Sequence, residues 1–213
     1  MIESLSVGAM DNNAYLITDP DTGARLLVDA AAEPDRLLAW LGEGDQGDPP
    51  RTDGRRTLTG VVTTHRHADH LGGLAGVLDA TGAASWAGAA DAAAIADAAG
   101  VPLPRSLRHG DRLPVGALTL EVIALRGHTP GSIALAWTGP HEGPVHLVTG
   151  DSLFPGGPGR TAGPDDFRSL MTDLEQRVFA RYGDDTVVHP GHGLPTTLGT
   201  ERPALASWWA RGW

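Results

Sequence analysis

Short apolar runs separated by glycine- and proline-rich turns dominate the chain, and four of these runs lead into a histidine or an aspartate. Residues Ala14–Thr18, Arg25–Asp29, Gly60–Thr64, Leu118–Leu125, Ile133–Trp137, His146–Thr149 and Thr186–His189 have the length and β-branched content of strands. Helical patterns lie between them. Glu33–Leu41 carries Pro34 near its first turn, Leu71–Ala80 follows a histidine cluster, and Ala89–Ala99 stops at Gly100. The clearest is Pro164–Tyr182, where Phe167, Leu170, Met171, Leu174, Val178 and Phe179 recur at helical spacing ahead of Gly183. A last short helix begins near Pro203 and carries Trp208 and Trp209 for packing. Strands and helices that alternate, with hairpin-like strand pairs included, predict a layered α/β fold with mixed sheets. One domain spanning 1–213 is expected, with the polar segment Glu43–Arg56 as a surface loop.

Composition narrows the chemistry. The net charge of −10 and the pI of about 5.2 argue against a nucleic-acid partner, which needs a basic face. The absence of cysteine removes disulfides, thiolate nucleophiles and cysteine-based metal sites. All sixteen basic residues are arginine, so Schiff-base lysine chemistry is removed too. There is no G-x-S-x-G elbow for a serine nucleophile. The N-terminus lacks a basic, then apolar, leader, and no window reaches the roughly 20 apolar residues of a membrane span. A cytoplasmic enzyme acting on a small molecule is the expectation, with its oligomeric state open.

What remains is histidine and carboxylate. The segment T-T-H-R-H-A-D-H-L-G-G, Thr63 to Gly73, packs His65, His67, Asp69 and His70 into six positions. His65 and His67, two apart, can converge on one ion, which leaves Asp69 and His70 to face a second. His128, Asp151 and His192 each follow a predicted strand, and in layered α/β proteins ligands gather beyond strand ends. Glycines flank these positions and let backbone approach a crowded site. His109, His141, His146 and His189 fall outside the pattern and read as turn or strand residues.

In order, T-H-R-H-A-D-H, G-H-T-P-G, G-D-S-L-F and P-G-H-G resemble the metallo-β-lactamase-fold hydrolases from about Asn13 to the end of the chain. L-V-T-G-D-S-L-F and P-G-H-G-L-P-T-T-L-G-T-E-R are similar to the glyoxalase II-like thioester hydrolases. The resemblance implies a four-layer αββα sandwich with two divalent ions at one edge of the sheets. It assigns His65, His67 and His128 to the first ion, Asp69, His70 and His192 to the second, and Asp151 to a bridge between them. Zinc is the favoured metal, with iron or manganese also compatible. The implied reaction is attack of a metal-bound hydroxide on a thioester carbonyl, with Asp69 available as a proton acceptor. Asp29 in L-L-V-D-A is expected to hydrogen-bond the histidine loop, and Arg160 in G-G-P-G-R-T-A-G to steady a carboxylate or its own loop.

Two departures bear on the substrate. Ser132 stands where many thioester hydrolases carry histidine, and the tail beyond His192 is shorter than the region that holds glutathione in glyoxalase II. A persulfide dioxygenase of the same fold, with one iron held by His65, His128 and Asp151, and a lactone or other ester hydrolase are the alternatives.

Overall fold

The computed structural model describes residues 1–42, 58–139 and 143–212, so the predicted loop Glu43–Arg56 and His141 lie outside the described residues. A first six-stranded sheet runs in sequence order: β1 (Ile2–Val7), β2 (Asn12–Thr18), β3 (Arg25–Val28), β4 (Leu58–Thr63), β5 (Ala84–Gly88) and β6 (Arg105–Leu107). β1 to β3 pair antiparallel, and β3 to β6 pair parallel. Helices α1 (Pro34–Leu41), α2 (Leu74–Thr81) and α3 (Ala92–Ala99) make the connections that parallel pairing requires.

The second sheet begins with β7 (Arg112–Val115), β8 (Leu118–Ala124), β9 (Ile133–Thr138) and β10 (Val145–Gly150). A small separate hairpin follows, β11 (Leu153–Phe154) with β12 (Gly157–Pro158). Helix α4 (Pro164–Leu174) leads to β13 (Val187–Pro190), which joins β10 in parallel, and β14 (Thr196–Thr197) closes the edge. The spatial order is β14-β13-β10-β9-β8-β7. The chain then enters α5 (Leu198–Glu201), a 3₁₀ turn at Arg202–Ala204 and α6 (Leu205–Arg211).

Alternation along the strands sorts apolar side chains into three layers. In β2 to β4, Ala14, Leu16, Leu27 and Val61 pack under α1 to α3, while Tyr15, Ile17, Leu26, Val28 and Val62 face the other sheet. In β9, Ile133, Leu135 and Trp137 meet them from the opposite side, and Ala134 and Ala136 turn toward α4 and α6. Strands covered on both faces explain why these runs are apolar throughout instead of alternating. The architecture is therefore helix, sheet, sheet, helix, the four-layer αββα sandwich.

Three predicted helices differ at their ends. Gly72 and Gly73 spend their N–H groups on the carbonyls of Ala31 and Ala30, at 2.8 and 2.9 Å, so α2 starts at Leu74 and not at Leu71. The N–H of Ala89 is likewise taken by Leu107, at 2.9 Å, and α3 starts at Ala92. The segment predicted as Pro164–Tyr182 is α-helical only to Leu174 and continues as a π-helical turn, Glu175–Phe179, that buries Val178 and Phe179 together. Arg202 then stops it by donating to the carbonyls of Phe179 at 2.5 Å and Tyr182 at 2.9 Å. No helix among the described residues is long and apolar enough to cross a membrane.

Candidate metal centre

The segment after β4 turns at once. Thr64 and His65 are buried, His67 is exposed, and a 3₁₀ turn at Ala68–His70 returns His70 to the interior. The loop after β8 brings His128, the end of β10 brings Asp151, and the loop after β13 brings His192. Imidazole and carboxylate atoms of three triads each lie within 4.8 Å of one another: His65, His67 and His128; His65, His70 and Asp151; and Asp69, His70 and His192. Asp151 sits among them, 3.4 Å from His70 Nε2, 3.5 Å from His192 Nε2 and 3.7 Å from His128 Nε2. All seven residues singled out as ligands from the sequence are thus in one cluster.

The orientation of the rings is set from behind. Thr64 donates its hydroxyl to Asp29 Oδ2, at 2.8 Å, so it accepts from Nδ1 of His65, at 3.0 Å. His70 Nδ1 donates to Asp29 Oδ2 at 2.9 Å, His128 Nδ1 to the Arg160 carbonyl at 2.7 Å, and His192 Nδ1 to the Met10 carbonyl at 2.9 Å. A neutral imidazole with Nδ1–H engaged presents a lone pair at Nε2. The Nε2 atoms of His65, His70, His128 and His192 therefore face inward. Those of His65, His70 and His128, with Oδ1 of Asp151, are buried and have no hydrogen-bond partner. Buried polar atoms left unpaired are costly unless a cation takes them, and this donor set of imidazole and carboxylate suits a divalent metal.

Proton affinities tell the same story. Burial and the neighbouring imidazoles, His70 first among them, hold His65 far below the usual histidine range. Burial also disfavours charge on His70, but the carboxylates of Asp29 and Asp151 overcome it and push His70 up to about 10. Burial alone would raise Asp69; the Asn12 amide and the nearby histidines outweigh it and hold the carboxyl below its ordinary value. The cluster favours positive charge at its centre yet cannot accept a proton on every ring.

Asp29 is 1% exposed and sits in the left-handed region, φ 59°, rare for a residue with a side chain. That turn aims both of its oxygens at the histidine loop, where it also accepts the Thr64 N–H at 2.7 Å. Arg160 contributes its carbonyl to His128 and also lines a cavity of about 340 Å³ with Thr161, Phe167 and Arg211. Gly159, in the same wall, backs onto Asp151: a Cβ there would overlap the Asp151 carbonyl. Gly191 is under the same constraint, since a Cβ would overlap Oδ1 of Asp151 and lie 2.9 Å from Cε1 of His70.

Three supporting residues escaped the sequence reading. Asp91, fully buried, accepts the N–H groups of Arg66 at 3.2 Å and Gly131 at 3.0 Å and the hydroxyl of Thr129, joining the loop of His65 and His67 to that of His128. Asp173 on α4 holds Arg126, two residues before His128, through its N–H at 3.0 Å and its guanidinium at 2.9 and 2.7 Å. Asn12 reaches Asp69 at 2.9 Å. A lone Asp or Asn in a polar or apolar run carries no periodicity, so only long-range contact identifies it.

His146 and His189 stand on neighbouring strands, 3.0 Å apart between ring nitrogens; Trp137 stacks on His146, and Tyr15 meets His189 edge-on. They are strand residues away from the centre.

Comparison with known proteins agrees with the geometry. A hydroxyacylglutathione hydrolase of Polaromonas is 34% identical over 194 residues, 90% of this chain and 66% of that protein. Hydroxyacylglutathione hydrolase GloC of Haemophilus influenzae is 30% identical, with 94% of each chain covered. The solved structure of TTHA1623 in a di-iron-bound form is 31% identical, with a TM-score of 0.70 over 94% of this chain and 96% of that one. The chain spans 66% and 51% of the length of two curated relatives it matches, those of Polaromonas and Jannaschia. Residues 7–192 match the model of the metallo-beta-lactamase superfamily, and the chain belongs to that family.

Proposed function

We propose that this protein is a metal-dependent hydrolase with a dinuclear centre that cleaves a small hydroxyacyl thioester. The observation that carries the reading is the ring geometry: four imidazoles, each held by an oxygen at Nδ1, turn Nε2 toward Asp151. On this reading His65, His67 and His128 hold one ion, Asp69, His70 and His192 the other, and Asp151 bridges them. Two divalent ions there, zinc favoured, supply an acidified water as nucleophile and polarise the carbonyl.

The residues of the chain do the rest. Asp29, Thr64 and the carbonyls of Met10 and Arg160 keep the rings from rotating, so the centre stays aligned through turnover. Asp69, 24% exposed, is placed to accept the proton of the attacking water. A thiolate leaves with little need for protonation, so no general acid is required on the leaving side.

The cavity lined by Gly159, Arg160 and Arg211 is the proposed site for the thiol carrier. Neither Arg160 nor Arg211 has a carboxylate partner among the described residues, in a chain whose net charge is −10. They suit a carrier that bears a carboxylate. The hydroxyacylglutathione named in the relatives gives the acyl-thiol class.

The test pairs metal analysis with a substrate panel on one preparation. About two ions per chain with hydrolysis of hydroxyacyl thioesters supports the reading. Inert thioesters, or one iron per chain with oxygen uptake, overturns it.

A further inference from the structure

The turn between β1 and β2, together with the start of β2, touches the centre on one side only. Met10 gives its carbonyl to His192 Nδ1, and Asn13 donates its N–H to the Gly191 carbonyl at 2.7 Å. The side chain of Asn13 adds bonds to the carbonyls of Pro190 at 3.1 Å and Gly193 at 2.8 Å. Between them stands Asn12, 1% exposed, whose backbone forms an isolated antiparallel bridge with His192. Its Nδ2 lies 2.9 Å from Asp69 Oδ2 and 3.3 Å from His192 Nε2. A carboxylate only accepts, so the amide nitrogen and not its oxygen faces Asp69. None of these contacts reaches His65, His67 or His128.

We propose that Asn12 is a positioning residue for the Asp69–His70–His192 half of the centre, selecting whether that half is filled without being a ligand itself. The oxygen that Asn12 holds is the one nearest the other members, 3.5 Å from His70 Nε2 and 3.3 Å from His192 Nε2. A carboxylate oxygen has two lone pairs; with one committed to the amide, the carboxylate cannot swing away and the other lone pair faces the two rings. Asp69 is only partly buried, and among the described residues the Asn12 amide is its one side-chain hydrogen-bond donor. Without the amide, its rotamer is set by the ion alone, and the cost of ordering it falls on metal binding. The main chain of Asn12 remains in β2 whatever its side chain, so the His192 loop stays docked.

The inference rests on the dinuclear reading, and cobalt(II) titration followed by absorption separates the two. Asn12→Ala removes the amide, and Asn12→Leu removes it at nearly constant volume. The full-length wild type takes up two cobalt ions in distinguishable steps. In both variants the association of one ion weakens by about ten-fold or more, the span expected for outer partners of metal ligands, while the other changes by less than about two-fold. A wild type that binds one cobalt overturns both the dinuclear reading and the role of Asn12. A wild type that binds two, with variants that bind two at unchanged affinity or lose both in parallel, overturns the role of Asn12 alone. If Asn12→Ala is insoluble, Asn12→Leu decides, because it leaves no void.

Discussion

Nδ1 of His70 lies 2.9 Å from Oδ2 of Asp29, the oxygen that also takes the Thr64 hydroxyl. One carboxylate thereby orients two rings, His70 directly and His65 through Thr64. Asp29→Ala strands three buried donors: the N–H and hydroxyl of Thr64 and Nδ1 of His70. The expected loss is roughly 2–4 kcal/mol of stability, read from urea denaturation in chelator. Metal affinity falls about 10- to 100-fold in the same variant. Asp29→Asn keeps an acceptor for Thr64 and sits between the two; equal midpoints for wild type and Ala would refute the account.

Asp91 touches no ligand ring, yet its loss is expected to reach the centre. Asp91→Ala frees Thr129, Gly131 and the Arg66 N–H, and it separates the two loops that carry His65, His67 and His128. The variant is expected to lose roughly 2–4 kcal/mol and to raise the Kd of the ion proposed at those three histidines. Cobalt titration distinguishes this from Asn12→Ala, since the affected ion is the opposite one.

Gly191→Ala tests the tightness of packing around Asp151. A methyl there collides with the Asp151 carboxylate and crowds the His70 ring. Turnover on any accepted thioester is expected to fall by about ten-fold or more, as for other displaced metal partners. Wild-type turnover in a folded Gly191→Ala protein would show that Asp151 has slack.

Chelator-treated protein is expected to lose stability on both sides of neutrality. His70 binds its proton more tightly folded, near 10, than unfolded, near 6.5. Its contribution is complete below pH 6.5 and disappears as pH rises from there toward 10. His65 and His189 behave in the opposite sense, both held low by burial, His189 at about 4. Their contribution is present above pH 6.5 and is lost as pH falls below it. Denaturation midpoints across pH 4 to 10 check this. Loading with metal removes the alkaline loss, because the ion replaces the proton on His70.

The strands of both sheets around the centre, and the cluster itself, were legible in the sequence because each strand is a continuous apolar run and each ligand stands just past one. β1, β5, β6 and β7 were not, nor were the two-residue strands β11, β12 and β14. In β1, Glu3, Ser4 and Ser6 are polar and exposed, half of the strand; in β6, Arg105 to Leu107 spans three residues. Their pairing comes from neighbours and not from their own side chains. The π turn at Glu175–Phe179 was invisible for a related reason: the Arg202 guanidinium that takes the carbonyl at its end lies far along the chain. Asp91 and Asn12 escaped because a buried polar residue is explained by its partners, which lie 25 to 180 positions away.

His65, His67, Asp69 and His70 leave the first sheet, whereas His128, Asp151 and His192 leave the second. On the proposed dinuclear reading, an ion shared by both groups would clasp the two halves together, and a shift of one sheet against the other would loosen it. Trimming Val62 or Leu135, both in the apolar layer between the sheets, is therefore expected to weaken metal binding as well as lower the melting point. Trimming Leu37 or Leu170 under the outer helices lowers the melting point and leaves the clasp aligned.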